Sequence, residues 1–416
     1  MVEHQHYTDG CWDASYEKLR PKPWYRKIKI RDIIVVAIFL IPLWSFLAWY
    51  FTPLRPIQIF ILDKTVPNLR YEEHRSLIWL LRHFRYSYGE RLYRADMDYY
   101  GFHPTEPGKS YRIYDLEGFR KEDLIELANR YDMAWIADSY GVYKNDWESG
   151  ELSQDRNPII YGRLSSEEAD FLEIMADQGK LVIGEFNIIG TPTSWRVRRQ
   201  IEKRFGFRWS GWTGRHFDSL DSTNYDLPRW VIHNYTEQYD TSWHFHNSGI
   251  VLTHSDETIV VLELYNHLTK DRPEIITSLA GSKAFPKLPA QLDYPFWFDI
   301  CSHDSSNQTL AYYEIHTSPR GDSLLSLLNI PKLFPAAFRS KNALFYYFAG
   351  DVSDTRVNNY LSYFRGIHVI RGFFYKTGDS TDRDRFFWEY SYPLTKAILD
   401  EYQRTLKQAN ILSARD

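Results

Sequence analysis

The sequence predicts an α/β fold: a mostly parallel, doubly wound sheet with an α+β C-terminal extension, preceded by one transmembrane helix. Three observations carry this reading. Short apolar runs alternate with helix-period segments between residues 57 and 205, the pattern of βαβ units. An uncharged stretch of twenty residues, 33–52, stands before them. After Gly206 the alternation gives way to aromatic, glycine-containing and hairpin-like segments.

The uncharged stretch reads IIVVAIFLIPLWSFLAWYFT. At about 1.5 Å rise per residue it matches a hydrocarbon core of about 30 Å, so one spanning helix is expected. Pro42 falls mid-span, where lipid-embedded helices tolerate proline, and Trp49 and Tyr50 fall at the outer interface, where amphipathic rings collect. Lys18, Arg20, Lys22, Arg26, Lys27, Lys29 and Arg31 precede it, against Arg55, Lys64 and Arg70 after it. That asymmetry predicts a cytoplasmic N-terminus and an extracytoplasmic globular part, at a bacterial inner or cytoplasmic membrane. The run ends in Trp49, Tyr50 and Phe51, without the small residues of a cleaved signal peptide. Cys11 and Cys301, the two cysteines, then lie on opposite sides of the membrane and form no internal disulfide.

A net charge of -4 with 44% hydrophobic residues excludes a disordered acidic chain and a multi-span membrane protein. Nucleic acid is excluded as a partner, because beyond residue 60 the basic residues are interspersed with acidic ones. Aromatic residues reach 17%, a surplus that fills cores and also supplies faces for stacking on sugar rings.

The elements follow in order. Residues 57–62 (IQIFIL) read as a strand buried on both faces, ending at Asp63. A helix is expected within 71–86, a strand at 111–116, a helix over 123–130 and a strand at 133–137 ending at Asp138. Ser165-Ser166-Glu167-Glu168 starts a capped helix that stops near Gly179; residues 181–186 form the next strand; a helix after Pro192 stops at Gly206. Beyond it the reading is an aromatic and glycine loop at 209–214, a helix at 227–239, a hairpin at 249–264, strands at 295–300, 310–317 and 343–349, and a last helix from Pro393. The expected organisation is a basic tail (1–32), the transmembrane helix (33–54), an α/β domain (55–280) and an α+β extension packed on it (281–416), with a soft boundary near residue 280.

The order of strands and helices from residue 57 to 205 resembles the flavodoxin-like sheets of the class I glutamine amidotransferase-like superfamily. Catalytic members carry a Cys in the tight turn after a central strand. The corresponding turn here is Glu185-Phe186-Asn187, with no Cys in the region. The resemblance therefore implies the non-catalytic branch, which recurs as an accessory domain in proteins that handle carbohydrates.

In such a sheet ligands bind at the carboxyl ends of the strands. Asp63, Asp138, Glu185 and, in the run 348–354, Asp351 are the candidate catalytic carboxylates, each set against a plain turn-capping role. Tyr140, Trp212, Arg215, His216 and Asp218 are the candidate ligand-binding residues: a stacking surface, a planar cation and a titratable ring. His244 and His246 have the alternation that puts two imidazoles on one strand face, a weak metal signal without a third ligand. Asp379, Asp382 and Asp384 read as a solvated turn. Phosphate-loop, serine-elbow and zincin motifs are absent from the sequence.

The expectation is a membrane-anchored accessory protein of the cell envelope that binds a partner protein or a polysaccharide without catalysis and without a cofactor. Two alternatives stand beside it: a tethered glycan hydrolase or transferase using the strand-end carboxylates, and a subunit of a transport or secretion complex.

Overall fold

A computed structural model describes residues 29–149, 157–376, 378–379 and 382–413. Cys11 and the basic residues 18–27 lie outside the described residues. In chain order, β1 (Ile59–Asp63), β2 (Tyr100–Glu106), β3 (Ser110–Tyr114), β4 (Met133–Asp138) and β5 (Leu181–Gly184) open a large sheet. β6 (Phe207–Phe217), β7 (Gly249–His254) and β8 (Ile259–Glu263) begin a second one. β9 (Glu274–Thr277) and β10 (Gln291–Asp293) return to the first, β11 (Trp297–His303) joins the second, and β12 (Asn307–Glu314), β13 (Leu333–Ser340) and β14 (Phe345–Phe348) complete the first.

The large sheet has ten strands in the order β10-β9-β12-β13-β14-β5-β4-β1-β2-β3. Its middle, β14-β5-β4-β1-β2, is parallel. The other five pairings are antiparallel. The sheet is therefore mixed, which corrects the expectation of a mostly parallel one. Strands joined by short connections, such as β2 to β3 and β13 to β14, can only run antiparallel. The expected boundary near residue 280 falls inside this sheet: β14 lies directly against β5.

The parallel middle follows from the sequence. β1, β4, β5 and β14 read IFILD, MAWIAD, LVIG and FYYF, with every residue buried, so both faces are covered. Helices Lys121–Arg130, Ser166–Asp177 and Trp195–Phe205 pack side by side. Helix Arg75–His83 packs with the last helix, Tyr392–Ser413. The start of one of these helices and the end of another follow ordinary cap chemistry. Ser165 and Glu168 form a reciprocal capping box. Gly206 ends Trp195–Phe205 in the left-handed conformation at φ 69.

Two further expectations are corrected here. The segment 209–214 is not a loop but the middle of β6, which pairs with β7 and β11 in a four-stranded antiparallel sheet. The single spanning helix is two helices, Ile30–Phe39 and Ile41–Tyr50, bent by 48°. No single described helix is long and apolar enough to cross a membrane, whereas the bent pair meets that length and composition together. Pro42 accounts for the break: it offers no N–H to the carbonyl of Ile38 and its ring crowds that carbonyl.

Candidate functional site

The carboxyl ends of the parallel strands bring the expected acids onto one rim. Asp63 and Asp138 are register partners at the ends of β1 and β4. The Asp63 backbone comes close to the next strand as well: a Cβ at Gly101 of β2, where φ is +135, would sit 1.8 Å from the Asp63 carbonyl oxygen.

Asp63 accepts from the Thr65 amide at 2.9 Å and pairs with His74 Nδ1 at 2.5 Å. Asp138 Oδ1 accepts from Thr65 Oγ1 at 2.7 Å and from the Tyr140 amide at 2.5 Å. Burial raises the Asp138 carboxyl well above the usual range, against the pull of those two hydrogen bonds.

Glu185, immediately after β5, is 2% exposed. Its Oε1 accepts from Trp135 Nε1 at 2.5 Å and from the Ser353 hydroxyl, and its Oε2 accepts from the amides of Val352 and Ser353, each at 2.9 Å. Burial still pushes its pKa up to about 7. Asn187, two residues on, takes the left-handed conformation at φ 68 and donates its amide to Asp299 at 3.1 Å. The tight turn expected after the central strand is thus present.

Asp351 differs from these three. Its amide donates to the Tyr294 hydroxyl at 2.8 Å. The preceding glycine is required, because a Cβ at Gly350 would lie 2.1 Å from the Tyr294 hydroxyl and 2.2 Å from that of Tyr313. Among the described residues the Asp351 carboxyl accepts no hydrogen bond. Burial, then the charges of Asp354 and Asp138, hold it protonated well above the ordinary range, with Arg383 opposing.

Three further residues complete the rim: Asp354 falls in the expected run 348–354, Glu73 and Arg383 outside it. Glu73, two positions before helix Arg75–His83, is raised by desolvation and then by Asp354, Asp138, Asp351 and Asp63. Asp354 pairs with Arg383 at 3.1 Å, while its Oδ1 is buried without a hydrogen-bond partner among the described residues. Burial raises its pKa as well. Arg383 stands over the Phe296 ring at 4.7 Å. Its guanidinium is held charged by Asp354, Asp351 and Glu73, against its own burial. Glu73, Asp351 and Asp354 are half-buried residues, whereas Asp63, Asp138 and Glu185 are buried.

Signals for these residues existed. Glu73 lies in the loop leaving β1, and Asp354 ends the same short run as Asp351. Arg383 sits inside the segment expected to be a solvated acidic turn; Asp382 instead caps the short helix Arg383–Phe386 and directs Arg383 inward.

The expected ligand-binding residues disperse. Trp212 is 8% exposed and belongs to the core. Arg215 pairs with Asp226 and stacks on Phe217, yet its charge still reaches Asp351 and Arg383. His216 is buried beside Asp271 at 3.4 Å, and Asp218 is exposed. Tyr140 is 38% exposed, next to the Asp138 cap, with its ring against Tyr143. His244 and His246 lie outside any strand: His244 turns to the Ser242 carbonyl and His246 to Asp221. Among the described residues no three His, Cys, Asp or Glu side chains are grouped to hold a metal ion.

A surface concavity of about 320 Å³ lies at the opposite, amino ends of the strands, lined by Ile59, Ile61, Arg91, Asp98 and Tyr100. Its charges are already spent on each other, since Arg91 holds Asp98 with two hydrogen bonds of 2.5 and 2.6 Å. The rim at the carboxyl ends is the better candidate.

No protein-family model matches the chain, and no curated protein matches it. Solved structures similar to it include a ThuA-like protein from Bacteroides uniformis, at 10% identity and a TM-score of 0.35, covering 76% of this chain and 90% of that one. A glutamine amidotransferase from Thermotoga maritima is similar at 9% identity and a TM-score of 0.36, covering 83% of this chain and 98% of that one. Both belong to the class I glutamine amidotransferase-like fold. Likeness at this level leaves the site to be read from its own residues.

Proposed function

We propose that the chain is a membrane-anchored extracytoplasmic protein whose strand-end rim binds a polysaccharide or a partner protein without turning it over. One observation carries the reading: Asp63, Asp138 and Glu185 each accept hydrogen bonds from their own fold. A carboxylate engaged in this way holds loops in place, and its acceptor positions are occupied by its own fold. The groups left to face a ligand are Glu73, Asp351, Asp354 and Arg383, a mixture of protonated carboxyl, carboxylate and planar cation. That mixture offers both donors and acceptors, as a hydroxyl-rich ligand requires.

A second reading is a carboxylate-dependent glycan hydrolase or transferase. It is favoured by Glu73 and Asp351, which are uncapped and hold their protons above the ordinary range, as a general acid must. The test uses the full chain in mild detergent against a panel of neutral, acidic and amino-sugar polysaccharides, with affinity and released reducing ends measured together. Binding without release supports the proposal. Release that disappears in Glu73→Gln or Asp351→Asn establishes the enzyme instead. Neither binding nor release, with a stoichiometric protein copurifying, assigns the rim to a protein partner and reopens the transport-complex alternative.

A further inference from the structure

Beside the N-terminal helix pair the chain exposes a second apolar surface. Two short 3-10 turns, Asn359–Tyr363 and Ile367–Phe373, turn Leu361, Phe364 and Ile367 inward against Trp79, Phe387, Trp388 and Tyr392. On their outer side Tyr360, Val369 and Phe373 are 77%, 74% and 87% exposed, with Ile370 between them at 47%. The segment is amphipathic by construction, and its apolar side is left uncovered by the described residues.

Its position relative to the helix pair says what covers it. The Arg365 amide donates to the Ser45 carbonyl at 3.2 Å, and the Ser45 hydroxyl donates to the Arg365 carbonyl at 2.8 Å. Trp49 meets Tyr363 edge to face with ring centroids 4.9 Å apart, and Trp49 Nε1 donates to the Arg82 carbonyl at 3.2 Å. Ser45 lies seven residues before Thr52, where the uncharged run ends. At 1.5 Å per residue, a chain segment tied to Ser45 therefore sits roughly 10 Å below that end. Interfacial segments bury their apolar side to about 5–10 Å at the headgroup boundary.

The charge pattern agrees. Arg365 reaches up to the Thr52 hydroxyl at 2.9 Å. Burial lowers the pKa of His368, and the positive charge of Arg371 lowers it further. The guanidinium groups of Arg365 and Arg371, both within the segment, suit anionic headgroups, with their alkyl stems along the acyl boundary.

We infer that residues 359–374 form a second membrane contact, a monotopic wedge that enters the outer leaflet beside the anchor and fixes the orientation of the globular part. This rests on the reading of the helix pair as a membrane anchor. The consequence is that the domain is held rigidly on the bilayer rather than swinging on a tether.

The test labels single cysteines in the full chain with a fluorophore, in a Cys11→Ser background where Cys301 is buried and unreactive. Probes go in as Trp44→Cys in the anchor, Phe373→Cys in the wedge and Tyr265→Cys as a reference, a site 86% exposed outside both. The protein is reconstituted in phosphatidylcholine and phosphatidylglycerol vesicles carrying nitroxide lipids at shallow or deep positions. The expected result is severalfold stronger shallow quenching at 373 than at 265, with deep quenching at 44. Quenching at 44 with 373 no different from 265 overturns the wedge and leaves the anchor standing. Absence of quenching at 44 overturns the anchor reading and the wedge with it.

Discussion

Glu185 is the residue whose role the structure redefines most. It is a carboxyl at a strand end, where sites form, yet four donors from β4 and from the segment after β14 close around it. It pins three elements of the rim. Its folded pKa of about 7 lies above the ordinary 4.5, so the folded state binds the proton more tightly than the unfolded one. The stabilisation is then fully present below about pH 4.5 and is lost as pH rises through about 7. Gln mimics the protonated form at every pH. The stability of the Glu185→Gln variant relative to the natural chain should therefore rise between pH 5 and pH 8, by a few kcal/mol at about 1.4 kcal/mol per pKa unit. Paired denaturant melts at the two pH values measure it, and a pH-independent difference would refute it. At this scale the sequence identified where the acids are and not what they do. A strand ending in Asp or Glu is visible in a linear reading, whereas the donors that cap Glu185 come from residues 50, 167 and 168 positions away.

At the scale of elements, the helix Ser166–Asp177 and strand β6 show what local pattern does and does not contain. The capping box was legible in Ser165-Ser166-Glu167-Glu168. The second task of Glu168 was not: it also holds Lys64, just past β1, at 2.8 Å in a pair whose side chains are 0% and 1% exposed. Removing one member leaves a buried charge unpaired, so Glu168→Ala should cost roughly 3–5 kcal/mol. The double variant Lys64→Met with Glu168→Leu should recover a large part of that loss. Chemical denaturation of the three chains checks this, and a double variant as unstable as the single would contradict it. In β6 the glycines misdirect a linear reading, because they mark close packing and not a turn. A Cβ at Gly214 would lie 2.3 Å from the Phe298 ring. Gly214→Ala should therefore destabilise by roughly 1–3 kcal/mol through overpacking, read as a lower thermal midpoint, where a true loop glycine would tolerate it. The broken N-terminal helix has a similarly local cause in Pro42, visible in the sequence but read there as tolerated.

For the whole molecule, the parallel middle of the sheet was legible because its strands are continuous apolar runs, while the antiparallel flanks are built from segments whose polarity alternates weakly. The same architecture arranges the acids in two tiers. Asp63, Asp138 and Glu185 lie beneath, capped by backbone and side chains; Glu73, Asp351 and Asp354 lie above, half-buried around Arg383, with their pKa values raised by desolvation and by neighbouring acids. Crowded, desolvated acids lower stability, which makes this tier the candidate for binding. On the proposed reading this upper tier is the functional surface, and one paired measurement tests it: thermal midpoint and polysaccharide or partner binding for Glu73→Met and Asp351→Leu at pH 8. Replacing a desolvated acid whose charged form is disfavoured by an apolar group of similar size should leave the midpoint unchanged or raise it by a few degrees, while loss of its donor and acceptor lowers binding at least tenfold. A midpoint several degrees lower, with binding intact in the folded variants, would make these acids structural and contradict the assignment of the rim.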